Sequence, residues 1–155
     1  MAEGIVIWDE KYATGIELID MQHKQLINLT NNLYVACSAR GDNLQTVFKD
    51  AMKRMVDYVR FHFEAEVKLL AAIRFPDSVN HQKMHDVLIK DILDAVKDYS
   101  EGKKFIPNNF VRTLVQWILS HIAFYDKQYA NFAMESIKNG TLTVEKLKEI
   151  EASIR

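Results

Sequence analysis

At 155 residues the chain has the length of one ordinary domain around one hydrophobic core. Its 20 basic and 21 acidic side chains leave a formal net charge of -1, so no broad basic field favours nucleic acid or anionic lipid as a partner. The single cysteine, Cys37, cannot close an internal disulfide, and 2 prolines with 5 glycines among abundant Lys, Glu, Leu, Met and Ala argue against a sheet-dominated fold.

Met1-Ala2-Glu3-Gly4 lacks the basic start of a secretory signal. The apolar cluster Ile5-Val6-Ile7-Trp8 is far too short to span a bilayer, so a cytoplasmic protein without membrane insertion is expected. Residues 1–16 alternate apolar and charged types with no helical period and are predicted to form an arm laid across the domain. From residue 17 the pattern changes: Ile19, His23, Leu26, Thr30, Leu33 and Cys37 recur at steps of three and four, a first helix that Gly41 stops. Asp42 or Asn43 can cap a second helix. Its stripe is Phe48, Met52, Met55, Val59, His62, Glu66, Leu69 and Ile73, and Phe75-Pro76 ends it. Asp77 or Ser78 opens a third helix with His81, His85, Leu88, Ile92, Ala95 and Tyr99 on one side and Gly102 at its close. A fourth begins near Pro107-Asn108, carries Phe110, Leu114, Trp117 and His121, and ends at Asn139-Gly140. Val144, Leu147, Ile150 and Ile154 then give a short C-terminal helix, residues 141–155, one apolar edge with which to dock on the outside. The short links favour antiparallel neighbours. The expectation is a single all-α domain spanning 1–155, an antiparallel up-down-up-down four-helix bundle over 17–139 with an N-terminal arm and a C-terminal helix.

Every one of the four core stripes contains a histidine, and two contain or adjoin a carboxylate. A buried imidazole needs a partner for each nitrogen, and a buried carboxylate costs several kcal/mol unless a cation or hydrogen-bond donors compensate it. Each feature alone is weak: a lone His23 on an apolar stripe is usually a satisfied core residue, and Asp126 alone would be a solvated acid. All five histidines of the chain nevertheless fall on inward stripes, with none left over. His62 and Glu66, and His81 and His85, are each four residues apart and so share a helical face. His121 and Asp126 are five apart, which on a regular helix splays them by roughly 140°. A local π-type widening between them is therefore predicted, turning both inward. Seven candidate ligands without a cysteine cluster do not suit structural zinc, and five imidazoles do not suit magnesium or calcium. Imidazole with carboxylate suits iron, and seven ligands suit two ions.

The order His23, then His62-Phe63-x2-Glu66, then His81-x3-His85, then Trp117-x3-His121-Ile122-x3-Asp126 resembles the hemerythrins, in particular the bacterial single-domain members. The opening Trp8-x6-Gly15-x3-Ile19-Asp20-x-Gln22-His23 is similar to theirs as well. The resemblance covers roughly residues 5–135. It departs at Val67, where many members carry a second acid, and in the longer tail after Asn139. It implies that His81, His85 and His121 bind one iron and His23 and His62 the other, with Glu66 and Asp126 bridging both beside an oxo or hydroxo bridge. Two roughly octahedral irons then keep about one open position, on the ion with two histidines, where dioxygen would bind reversibly. Positions matching the family's oxygen pocket are Leu26, Phe63, Trp117, Ile118 and Ile122, all apolar. The resemblance implies a dioxygen carrier or store that delivers to an unidentified recipient and is no enzyme. Alternatives are a diiron redox enzyme acting on peroxide or nitric oxide, and an iron-storage or iron-sensing module.

Overall fold

The computed structural model describes residues 6–37, 44–102 and 107–154. A 3-10 turn at Glu10–Tyr12 precedes helices α1 (Glu17–Cys37), α2 (Leu44–Ile73), α3 (Ser78–Ser100) and α4 (Pro107–Ser120). A π-helical turn at His121–Asp126 joins α4 directly to α5 (Lys127–Lys138), so these three segments form one rod, and α6 (Val144–Ile154) follows. Helix α1 packs on α2 and on α4, α2 also on α3, and α6 on α2, which makes the expected four-helix bundle with a fifth helix added outside. The described residues contain no strand.

The apolar stripes read from the sequence are the faces that meet. All eight α2 positions from Phe48 to Ile73 are buried, with His62 and Glu66 among them. On α3 the stripe is buried through Ile92 and only half-buried at Ala95 and Tyr99, and on α1 Cys37 is likewise half-buried. Val144 departs from expectation: it is 47% exposed, so the docking edge of α6 is Leu147, Ile150 and Ile154. The expected stop at Gly41 and the caps Asp42 and Asn43 lie outside the described residues. Asp77 does hold the N-cap position of α3, but its side chain makes no bond to the backbone there and instead accepts from Asn80 Nδ2 at 2.7 Å.

The arm is more structured than its pattern suggested. Asp9 Oδ1 accepts from the Lys11 N–H at 2.8 Å, starting the 3-10 turn that buries Tyr12. The Asp20 carboxylate accepts from the backbone of Thr14 and Gly15 and from the Thr14 hydroxyl, locking the turn into α1. Asn31 pairs both ways with the Val6 backbone, at 2.8 and 2.9 Å.

The core forms two apolar clusters. One contains Leu26, Val59, Phe63, Leu88, Ile118 and Ile122, and the other Ile19, Leu69, Tyr129, Ala133, Leu147 and Ile150. Along α1, His23 lies between Ile19 and Leu26, and along α2, Glu66 lies between Phe63 and Leu69. A polar layer is thus enclosed between two apolar ones.

Candidate metal centre

Five imidazoles and two carboxylates meet in that layer, all at least nine-tenths buried. His23 comes from α1, His62 and Glu66 from α2, His81 and His85 from α3, and His121 and Asp126 from the two ends of the π turn. The wide turn opens where the five-residue spacing required it, and both of its ends face inward.

The donor atoms divide into two overlapping groups. Glu66, His81, His85, His121 and Asp126 offer five atoms within 4.8 Å of one another, and His23, His62, Glu66 and Asp126 offer four. Each carboxylate turns one oxygen to each group. Glu66 Oε2 lies 3.0 Å from His85 Nε2 and 3.4 Å from His81 Nε2, while its Oε1 lies 3.4 Å from His62 Nε2 and 3.8 Å from His23 Nε2. Asp126 Oδ1 lies 3.0 Å from His121 Nε2 and 3.3 Å from His81 Nε2, and its Oδ2 lies 3.0 Å from His23 Nε2. His85 and His121 bring their Nε2 atoms within 3.0 Å of each other.

These separations fit ions. Donors about 2.1 Å from an octahedral metal stand about 3.0 Å apart in adjacent positions. Although His23 Nε2 and both Asp126 oxygens have neighbours at such distances, none of them forms a hydrogen bond. The distances suit hydrogen bonds and the angles do not, as when atoms aim at a common centre instead of at each other. Buried polar atoms left in that state are costly, and a cation in each group would satisfy them.

Charge in the metal-free chain follows from the same packing. Burial alone would push the His23 and His81 imidazoles down, but the adjacent Asp126 and Glu66 outweigh it and bring each up to about 9. Burial likewise opposes ionisation of Glu66 and Asp126, yet the surrounding histidines hold both carboxyls well below the usual carboxylate range. Burial wins at His85 and lowers it.

Two supporting side chains carried no role in the sequence reading. Gln22 Oε1 accepts from His62 Nδ1 at 2.7 Å, which leaves Nε2 free to face Glu66. The Tyr129 hydroxyl donates to Glu66 Oε1 at 2.7 Å, and burial beside the two carboxylates keeps that phenol well above its ordinary range. The signals were present but generic: Gln22 adjoins His23, and Tyr129 follows Asp126 by three residues on the same helical face.

The apolar positions singled out from sequence gather in one cluster, with Leu26, Phe63, Ile118 and Ile122 buried and Trp117 packed against them. Phe63 lies flat on His85, with ring centroids 3.6 Å apart and planes within 2°. Trp117 lies flat on His121 at 4.6 Å and 8°. Both plates therefore brace rings of the three-histidine group, and Phe63 also comes within 5.9 Å of His62.

Comparison with known proteins matches residues 14–133 to the family model of the hemerythrin HHE cation binding domain. A bacteriohemerythrin of Stenotrophomonas maltophilia (strain R551-3) is 27% identical over 127 residues, covering 82% of this chain and 80% of that protein. A hemerythrin-like protein of Naegleria gruberi is 30% identical over 122 residues, covering 79% and 88%. The crystal structure of a wild-type hemerythrin shares the fold with a TM-score of 0.76 at 23% identity, over 83% of this chain and 97% of that one.

Proposed function

Because this chain belongs to the hemerythrin family, we propose that it holds two iron ions with an oxo or hydroxo bridge and binds dioxygen reversibly, as a carrier or store and not as an enzyme. The observation that carries this reading is the unequal split of the donor set, five atoms on one side and four on the other. Six positions per ion, less one each for the bridging oxygen, leave about one position open, beside His23 and His62. When bound, the iron pair would supply the two electrons and the open position that dioxygen requires.

The chain's own residues do the rest. Glu66 and Asp126, each with one oxygen turned to each donor group, would help hold both ions. Gln22 holds the His62 ring in the tautomer that offers Nε2, and Tyr129 steadies Glu66. Leu26, Phe63, Trp117, Ile118 and Ile122 form the apolar wall that would keep water and protons from the bound gas. Five imidazoles to two carboxylates is a nitrogen-rich set, whereas the carboxylate-rich bundles of the di-iron class use Glu on every helix. That balance favours binding over oxidation chemistry.

A cytoplasmic place of work belongs to the same proposal and suits the free thiol of Cys37. No described helix is long and apolar enough to cross a membrane.

The test is an anaerobic titration of the reduced, iron-quantified protein with dioxygen, followed by its absorption spectrum through cycles of air and vacuum. Two irons per chain and one dioxygen taken up and released per pair are expected. Steady turnover with added reductant and peroxide or nitric oxide would favour the enzyme alternative, and iron far above two per chain the storage alternative.

A further inference from the structure

Donors this deeply enclosed need a way in for the metal, and the seam between α2 and α3 offers one. Two adjoining recesses lie along it. The outer, of about 340 Å3, is bordered by Glu64, Lys68 and Asp86, and the inner, of about 100 Å3, by Leu70, Ser78 and His81. Val67, Gln82 and His85 line both. Two further recesses, one beside Leu29 and Val35 and one beside Phe48 and Leu93, touch none of the seven donors.

We infer that this seam is the passage by which ferrous iron enters and leaves the centre, with Val67 and Gln82 as its gate. The inference rests on the diiron reading above and adds a route to it. His23, Glu66 and Asp126 are fully enclosed, while His81 and His121 each retain 4% exposure; of these two it is His81 that lines the inner recess and lies only three residues inside α3. Helix ends open locally at low cost, so the first turn of α3 is the natural place for the bundle to part.

The chemistry along the seam suits a hydrated divalent cation exchanging its shell in steps. The exposed carboxylates of Glu64 and Asp86 stand at the rim beside Arg60 and Lys68, the Gln82 amide and Ser78 hydroxyl offer oxygen along the seam, and the imidazoles of His85 and His81 line it as well. Ser78, Gln82 and Asp86 repeat at four-residue intervals, which places the three oxygens along one face of α3. His85 is 2% exposed and lines both recesses, yet its Nδ1 has no partner within the protein. Phe63, which lies flat on His85, forms part of the wall of the outer recess.

The test measures metal exchange and needs no oxygen binding. Metal-free full-length protein is mixed anaerobically with ferrous ammonium sulfate, and iron not yet taken up is trapped with a ferrous chelator over time. Removal from the loaded protein by bipyridyl gives the reverse rate. Val67→Trp and Gln82→Trp are expected to slow both directions by about tenfold or more, with the same final iron content. Val67→Ala should speed both. Val35→Trp, which puts the same bulk into the recess between α1 and α2, should leave both rates as they are. Equal rates in all variants, or a Val35→Trp effect as large as that of Val67→Trp, would overturn the passage. Should either tryptophan variant fail to fold, an unchanged rate in Val67→Ala would still refute it. Wild-type protein that takes up no iron at all would remove the diiron reading itself, a result distinct from uptake that ignores the gate.

Discussion

At the scale of single residues, the site was legible because its atoms are expensive to bury. Nothing apolar explains a histidine at His23, His62, His81, His85 and His121; the spacing of Glu66 puts it on the face of His62, whereas Asp126 reaches the face of His121 only through the π turn. Supporting residues were harder to read, since glutamine and tyrosine occur on helices for many reasons and only coordinates show which atom they reach. Gln22 gives a direct check. Gln22→Leu removes the acceptor of His62 Nδ1, and loss of such an outer partner typically costs 10–100-fold in metal affinity. We expect a weakening of about that size for the less tightly held of two irons, read by chelator competition, and affinity equal to wild type would show that Gln22 only fills space. Ile118 is buried in the apolar wall, and Ile118→Glu would bring charge and water to it. Its oxygenated form is expected to decay faster, by about tenfold or more, as followed by absorbance in air. An unchanged lifetime would remove Ile118 from the oxygen pocket.

Among the elements, the helices were readable from period and the π turn from a conflict of periods. Five residues between two inward side chains do not fit 3.6 per turn, and the backbone widened over His121–Asp126 to admit them. What the sequence hid was how the helices end. The link between α2 and α3 turns at Arg74, with φ at 59°, while the Phe75 N–H reaches back to the Leu70 carbonyl. That is the helix-ending turn in which glycine is usual. Phe75-Pro76 announced a stop, but nothing announced an arginine in the left-handed region, where a side chain costs about 1–2 kcal/mol. Arg74→Gly should therefore raise stability by up to ~1 kcal/mol after the added freedom of the unfolded glycine is subtracted. Urea unfolding measures it, and a loss of stability would mean that the Arg74 side chain has a role of its own. The docking edge of α6 supplies the converse. Ile150 is buried against α2 and its neighbours, and Ile150→Ala is expected to cost about 2–4 kcal/mol by the same measurement. A cost below ~0.5 kcal/mol would mean that α6 is a loose appendage.

For the whole molecule, the centre ties stability to pH in a way that metal should reverse. In the metal-free chain His23 and His81 titrate at about 9, above the ordinary 6.5. Their contribution is complete below about pH 6.5 and is lost as pH rises through 9. Glu66 and Asp126 are depressed, so their contribution is present above the ordinary carboxylate range and fades in acid. His85, lowered by burial, pulls against stability below about pH 6.5. The metal-free protein should melt highest near neutrality and lose several degrees toward pH 9.5, whereas iron-loaded protein should keep its Tm there. A flat metal-free profile would refute the charge pattern. A different consequence follows from the bond that the Leu18 N–H donates to Glu151 Oε1, across 133 positions of sequence. Synthesis delivers α1 well before α6, so the Leu18 N–H goes without this acceptor until Glu151 has been made. A nascent chain can collapse, but it cannot tie α1 to α6 until both have left the ribosome.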